Sequence, residues 1–407
     1  MKTIYLKKNV LDAARDRIRW IFDEFENVVA SVSGGKDSTV IWELTLEIAR
    51  EKGRLPLRTL FVDQEAEWSY TIDIMRYMMS HPDVEPWWYQ IPIKIENSST
   101  FESVYQNCWG VGEEWLRPKE EDPRTIKENT YGFETWSAGM FGKIAAKDFP
   151  NQKTAFIAGV RAEEAPKRRV GLTSTATYKH VTWGAKLTNK GEYYTLYPLY
   201  DWSYTDIWKA IHEYKWVYNK VYDYFYMYGV KTQQMRVSNL HHETAINSLF
   251  IVQEIDADVY SALTKRMKGI DAAGKIGKKD FFPKELPYMF KSWKEYRDYL
   301  LPLLLQDEKE VVRFRNKFEK LDKRYAEIRN PDDLHAVQVA SIIANDVMFT
   351  KMTNWERRPS VWLWRKYWEK GCPVKNGAMD EMIKRKPDGS YVESPKAKEW
   401  KHDPRQD

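Results

Sequence analysis

Apolar residues in this chain fall into two kinds of run. Short unbroken ones read as strands buried on both faces: Val28-Val29-Ala30-Ser31-Val32, Thr59-Leu60-Phe61-Val62, Trp87-Trp88-Tyr89-Gln90-Ile91-Pro92-Ile93 and Thr154-Ala155-Phe156-Ile157-Ala158-Gly159-Val160. Between the first two, Val40, Ile41, Leu44, Leu46 and Ile48 predict a helix from Ser38 to about Lys52, stopped by Gly53 and Pro56. Leu196 to Tyr200 reads as a further strand, then a helix capped near Ser203 with an apolar stripe of Ile207, Trp208 and Ile211. Helical patterns dominate beyond about residue 230, at 243–268, 291–304, 307–328 and 331–352. The expected architecture is α/β, a Rossmann-like parallel sheet with helices on both faces over residues 1–230, followed by a mainly helical region over 231–380. Two segments lack a clean period. Residues 97–150 read as an insertion of the kind that forms a lid or substrate wall, and 381–407 as a polar, mobile tail.

The turn after the first strand is Ser33-Gly34-Gly35-Lys36-Asp37-Ser38. Gly34 and Gly35 let an anion approach the main-chain N–H groups, and the start of the next helix favours the same charge. Ser33 and Ser38 add hydroxyl donors, and Lys36 adds a mobile cation. Asp37 would repel bare phosphate; it reads either as a ligand to Mg²⁺ or as an acid at the helix N-terminus. The Gly-x-x-x-x-Gly-Lys-Ser/Thr spacing of a Walker loop is not met. In its strand–loop–helix setting the hexapeptide resembles the pyrophosphate loop (PP-loop) of the adenine nucleotide α-hydrolases. That resemblance implies a grip on the β- and γ-phosphates of ATP and cleavage at the α-phosphorus, or in a reductase-type site a bound sulfonucleotide.

Two later segments extend the likeness. Arg161-Ala162-Glu163-Glu164-Ala165-Pro166-Lys167-Arg168-Arg169 resembles the Gly-Val/Ile-Arg-x-Asp/Glu-Glu-Ser-x-x-Arg segment of the phosphoadenosine phosphosulfate reductase family, with Ala165 in place of Ser. Two arginines at a strand end suit bidentate contacts to phosphate or sulfate, although a charged turn facing water has the same composition. Pro198-Leu199 with Trp202, Asp206, Ile207 and Trp208, then Tyr218-Asn219-Lys220-Val221-Tyr222-Asp223, looks like the same family's next signature. Its aromatics and Asp206 read as structural. The opening Val10 to Ile18, the Phe61 to Glu67 segment and Arg266 to Ile270 are similar to the immunoglobulin-binding regulator A-like subfamily, whose long C-terminal extension this chain shares.

What the resemblance implies is specific. Lys36, Asp37, Arg161 and Arg168 would be catalytic. Ser33, Gly34, Gly35, Lys36, Asp37, Ser38, Asp63, Gly159, Arg161 and Glu164 would hold ATP or a related adenine nucleotide, with Asp37 on Mg²⁺. Asp63, at its strand's end, would face ribose or the metal, while Glu65 and Glu67 read equally as solvated loop charges. A ParB-like protein partner is implied by the subfamily alone.

Composition adjusts this picture in four ways. The 407 residues hold only two cysteines, which fits a reducing, cytoplasmic setting and excludes a disulfide framework or an iron–sulfur site. Neither Cys108 nor Cys372 lies in the Glu-Cys-Gly-Leu-His type of motif that sulfonucleotide reduction requires. No signal-like leader or membrane-length apolar run is expected, and a net charge of +5 is modest. Eighteen Trp and 25 Tyr are many, and the cluster from Trp355 to Trp368 interleaves them with Arg and Lys. That cluster reads as an amphipathic helix or as a surface for nucleic acid. The pair His241-His242 diverges by about 100° on a helix and is not read as a metal site. Two function classes remain: an ATP-dependent enzyme that adenylates an acceptor and releases pyrophosphate, and a non-catalytic nucleotide-binding regulator. A sulfonucleotide-using reductase or transferase is a third, less supported by the cysteines.

Overall fold

The structure, a computed structural model, describes residues 7–96, 105–137, 139–173, 176–232, 235–237, 239–241, 249–266, 285–305, 307–325 and 332–344, with isolated positions beyond. The chain divides into two compact units. The first comprises Met1–Ile95, Asn107–Leu240 and Val252–Arg266; the second comprises Glu96–Gln106, His241–Ile251 and Met267–Asp407. The division is therefore not a single cut near residue 230.

In the first unit, α1 (Val10–Glu24), β1 (Asn27–Ser31), α2 (Lys36–Glu51), β2 (Leu57–Val62), α3 (Ser69–Met79) and β3 (Val84–Tyr89) follow in sequence. Two short strands come next, β4 (Ile93–Glu96) and β5 (Tyr105–Cys108), then α4 (Gly139–Asp148) and β6 (Thr154–Ile157). After a 3₁₀ turn at Ala162–Glu164 come α5 (Pro166–Thr173), β7 (Gly184–Lys186), β8 (Tyr193–Leu196), α6 (Tyr204–Tyr214) and α7 (Val221–Met227). A six-stranded sheet runs in the order β3-β2-β1-β6-β8-β7. All neighbours are parallel except β7, which pairs antiparallel with β8 and caps one edge.

The central strands are largely apolar because both faces are covered. Val28 and Ala30 of β1 point into a core with Ile18, Ile41, Leu44, Met75 and Ile207, from α1, α2, α3 and α6. Val29, between them, points the other way, into a core with Phe156, Trp109, Phe133, Met140 and Ile144. The expected helices on both faces are present, and part of the irregular insertion covers the second face. Ser203 caps α6 reciprocally with Asp206, which is the structural role expected of that aspartate. The sheet order places β1 between β2 and β6, so the crevice beyond its carboxyl end is the topological switch point of an open α/β sheet. The loop Ser33–Ser38 leaves from that end.

Helices α8 (Leu249–Ile255) and α9 (Ala257–Arg266) replace the single 243–268 pattern, and Val252–Arg266 belong to the first unit. The second unit contains α10 (Trp293–Leu304), α11 (Glu308–Tyr325) and α12 (Asp332–Ile343) around Leu300, Leu301, Phe314, Phe318, Leu334 and Val339. Within the expected tail, β9 (Ile383–Arg385) and β10 (Tyr391–Glu393) pair antiparallel. The Trp355–Trp368 cluster, Cys372 and His242 lie outside the described residues. No helix among those described is long and apolar enough to cross a membrane.

A polar cluster sits inside the second core. Arg297 is buried over the Phe318 ring and donates to Asp322 Oδ2 and Gln338 Oε1, each at 2.6 Å. Burial alone would raise the Asp322 carboxyl, but hydrogen bonds from His335, Arg297 and Gln338 hold it down at about 2. Replacing Arg297 by alanine strands that charge. The expected loss is about 3 kcal/mol, read as a lower urea midpoint for the helical transition; an unchanged midpoint would show the network to be dispensable.

Candidate nucleotide site

The loop's shape is set by its glycines and by two side chains from α7 and the residues before it. Gly34 sits at φ +70°, and a Cβ there would lie 2.7 Å from Thr71 Cγ2. Gly35 ends the turn as the N-cap of α2, its carbonyl receiving the Ser38 hydroxyl at 2.8 Å and the Thr39 hydroxyl at 3.2 Å. Asn219 Nδ2 donates to Gly34 O and to Thr71 Oγ1, both at 3.0 Å. The Tyr222 hydroxyl accepts from the Lys36 N–H at 3.2 Å, and the Lys36 ammonium lies 5.4 Å from the centre of that ring. Burial first, then the Asp37 charge, push the Tyr222 phenol upward, so it stays neutral. Asn219 and Tyr222 belong to the Tyr-Asn-x-x-Tyr-Asp run, whose aromatics read as structural; their spacing of three residues at the start of α7 brings both to the loop.

The charged residues form one chain of contacts. Asp37 is held by Lys36 Nζ at 2.9 Å on one oxygen and by Arg161 Nε on the other. Arg161, almost fully buried, also reaches Glu163 at 2.8 Å, and its own N–H is received by Glu164 at 2.9 Å. Glu164 in turn pairs with Arg168, which is half-exposed. The expected Lys36, Asp37, Arg161, Glu164 and Arg168 are thus brought together at the carboxyl ends of β1 and β6. Gly159 explains how closely. A Cβ on it would lie 2.5 Å from Asp37 O and 2.6 Å from Asp37 C, so the end of β6 rests on the first turn of α2. Ser33 and Ser38 face each other at 3.5 Å.

Asp63 sits elsewhere than expected. It is fully buried: Oδ1 receives the Glu65 N–H at 2.9 Å, while Oδ2 receives Trp88 Nε1 and Gln90 Nε2 at 2.9 Å and pairs with Arg117. Its work is to bind the insertion to the sheet, because its four hydrogen-bonding partners all come from the protein and none of its side chain is exposed. Glu65 and Glu67 are not solvated loop charges either. Glu65 receives the Trp109 and Leu116 N–H groups at 2.6 and 2.8 Å and pairs with Arg266. Burial outweighs those partners and raises its carboxyl. Nothing local in the sequence marks these acids as interior, since their partners come from the insertion and from α9. Cys108 is buried as well, its thiol pushed up by burial and donating to Gln64 O at 3.1 Å. It is not a poised thiolate.

Two substitutions test this geometry. Gly159→Ala forces rigid backbone apart and is expected to cost roughly 1–3 kcal/mol in urea unfolding; full stability would mean that β6 and α2 are not so closely seated. Burial, then the Asp63 charge, push Glu67 up to about 8 from an ordinary 4.5. The native state thus keeps a proton that the unfolded chain releases above pH 4.5, so this group's contribution falls as pH rises and levels off beyond about 8. Glu67→Gln should flatten the decline in urea midpoint between pH 5 and 8, and parallel curves for the two proteins would refute the assignment.

Residues 27–228 match the family model described as phosphoadenosine phosphosulfate reductase domain, and residues 229–328 match that of a domain of unknown function (DUF3440). A relative from Escherichia coli (strain K12), "Uncharacterized protein YbdN", is 29% identical over 381 residues, 90% of each chain. Among solved structures, Candida glabrata FMN adenylyltransferase with FMN and the ATP analogue AMPCPP aligns over 59% of this chain and 66% of its own, at 15% identity and a TM-score of 0.35. Phosphoadenylyl-sulfate (PAPS) reductase from Candida auris, as a phosphate complex, aligns over 59% of this chain and 99% of its own, at 14% identity and a TM-score of 0.30. The match over residues 27–228 covers the loop, the Arg161 segment and the Tyr222 segment alike, and this part of the chain is similar to the phosphoadenosine phosphosulfate reductase domain.

Proposed function

We propose that the chain is an ATP-binding PP-loop enzyme that cleaves the α–β bond of ATP, adenylates an acceptor and releases pyrophosphate. The observation that carries this reading is the meeting of Lys36, Asp37 and Arg161 at the glycine turn that opens α2. The triphosphate would lie along Ser33–Ser38, with Gly159 and Glu164 shaping the wall opposite. An acceptor nucleophile attacks the α-phosphorus, the bond from that phosphorus to the bridging oxygen breaks, and pyrophosphate leaves with the electron pair. Lys36, Arg161 and Arg168 stabilise the charge that develops on the phosphate oxygens.

The electrostatics favour ATP arriving with a divalent cation. Lys36, Arg161 and Arg168 are already matched by Asp37, Glu163 and Glu164, so the side chains leave a polyphosphate's charge uncompensated. No group of three His, Cys, Asp or Glu among the described residues could hold a metal by itself. That donor set fits Mg²⁺ carried largely by the nucleotide's oxygens and water, with Asp37 as its protein ligand. Bound there, the ion would neutralise phosphate charge.

A thiol-dependent reductase reading is disfavoured by the buried, protonated Cys108. A place near the immunoglobulin-binding regulator A-like subfamily, a cytoplasmic setting, and a ParB-like or nucleic-acid partner belong to this proposal on sequence resemblance alone.

The decisive assay follows α-labelled ATP with Mg²⁺ and separates AMP, ADP and adenylated products. AMP or an adenylated acceptor with matching pyrophosphate is expected, and Lys36→Ala should slow its formation by roughly a hundredfold or more. Tight ATP binding with no turnover under any condition would replace catalysis by a nucleotide-binding regulator, and ADP as the product would refute α–β cleavage.

A further inference from the structure

The residues just beyond α7 cross the carboxyl edge of the first unit's sheet. Met235 is buried; Arg236 donates to Glu164 O, past the end of β6, at 3.4 Å. Val237 hydrogen-bonds through its backbone to the Tyr222 hydroxyl, which also receives the Lys36 N–H beyond β1. Asn239 donates to Gln64 O at 3.0 Å and the Leu240 N–H to Ala66 O at 2.8 Å, both beyond β2. In chain order this strap meets the ends of β6, β1 and β2, which are adjacent strands of the sheet. It therefore passes over the switch-point crevice.

Arg236 differs from the other cations there. Lys36, Arg161 and Arg168 each face a carboxylate. Arg236 is exposed, its partner among the described residues is a neutral carbonyl at the long end of hydrogen-bonding range, and it faces no carboxylate among them. Buried Met235 on one side and buried Asn239 and Leu240 on the other fix where its backbone lies. A planar guanidinium that reaches the Glu164 carbonyl, with most of its five donors unengaged by the described residues, is suited to a tetrahedral oxyanion.

We infer that Arg236 is a further anion-binding residue of this site and takes a phosphate group of the bound nucleotide. The inference rests on the nucleotide reading above. It also assigns a role to a residue within the match to the domain of unknown function.

Calorimetric titration of Mg-ATP and of adenosine into the full-length protein tests it, using wild type, Arg236→Gln, Arg236→Lys and Lys36→Ala. Arg236→Gln is expected to weaken ATP binding about tenfold and to leave adenosine binding and the thermal midpoint unchanged. Arg236→Lys should recover part of the loss, since a point charge replaces the fork. Wild-type affinity for ATP in Arg236→Gln, with Lys36→Ala impaired, would overturn the assignment and leave the nucleotide reading standing. Equal weakening of ATP and adenosine would also overturn it, showing that the strap only shapes the pocket. If the wild type bound no ATP, the nucleotide reading would fall first and this assignment with it.

Discussion

The carboxylate of Asp37 is the joint on which the site depends. It stands at the first turn of α2 and grips Lys36 from its own helix and Arg161 from the end of a neighbouring strand, all three largely out of water. A buried carboxylate with two cations is costly unless every contact is made, so the arrangement specifies one geometry more than it adds stability. Because Arg161 also meets Glu163, and Glu164 receives its N–H, displacement of Asp37 would be felt along the whole 3₁₀ turn. On the proposed nucleotide reading, an incoming anion competes for the same two cations, so that ligand binding and loop geometry would be one equilibrium.

What was legible in the sequence was local. A glycine turn between a strand and a helix declares itself through backbone chemistry, and Gly34 and Gly35 stand where a positive φ and a helix start require them. The parallel order of the main strands followed from unbroken apolar runs with covering helices. Three-residue β7 carries too short a pattern to announce an antiparallel edge. The acids after β2 were illegible for a different reason. Asp63 looks like a ribose or metal contact, and Glu65 and Glu67 like loop charges, until Arg117, Arg266, Trp88 and the Trp109 N–H are brought to these acids by the fold. Tyr222 and Asn219 had the right spacing, but only the structure turns them toward the loop.

Burial of that acid-rich segment also explains how an irregular insertion can be held in place. Residues 109–137 contain little regular structure, yet Trp109, Leu116 and Arg117 are each fastened to Asp63 or Glu65. Hydrogen bonds to charged groups are about twice as strong as neutral ones, so a few of them substitute for the ladder a strand would provide. The segment beside the crevice is ordered by charge where apolar periodicity is missing.

Arg266 carries a consequence for biosynthesis. It closes the ion pair on Glu65, which lies just beyond β2, and Asp256 receives the Ser69 N–H at the start of α3. A ribosome delivers the glycine loop early and these two residues late. Until α9 has emerged, the nascent first unit holds a buried acid without its counter-charge. Its completion therefore waits on sequence beyond the segment that matches the reductase-domain model, and a shuffling event that transplanted residues 27–228 alone would leave Glu65 without Arg266.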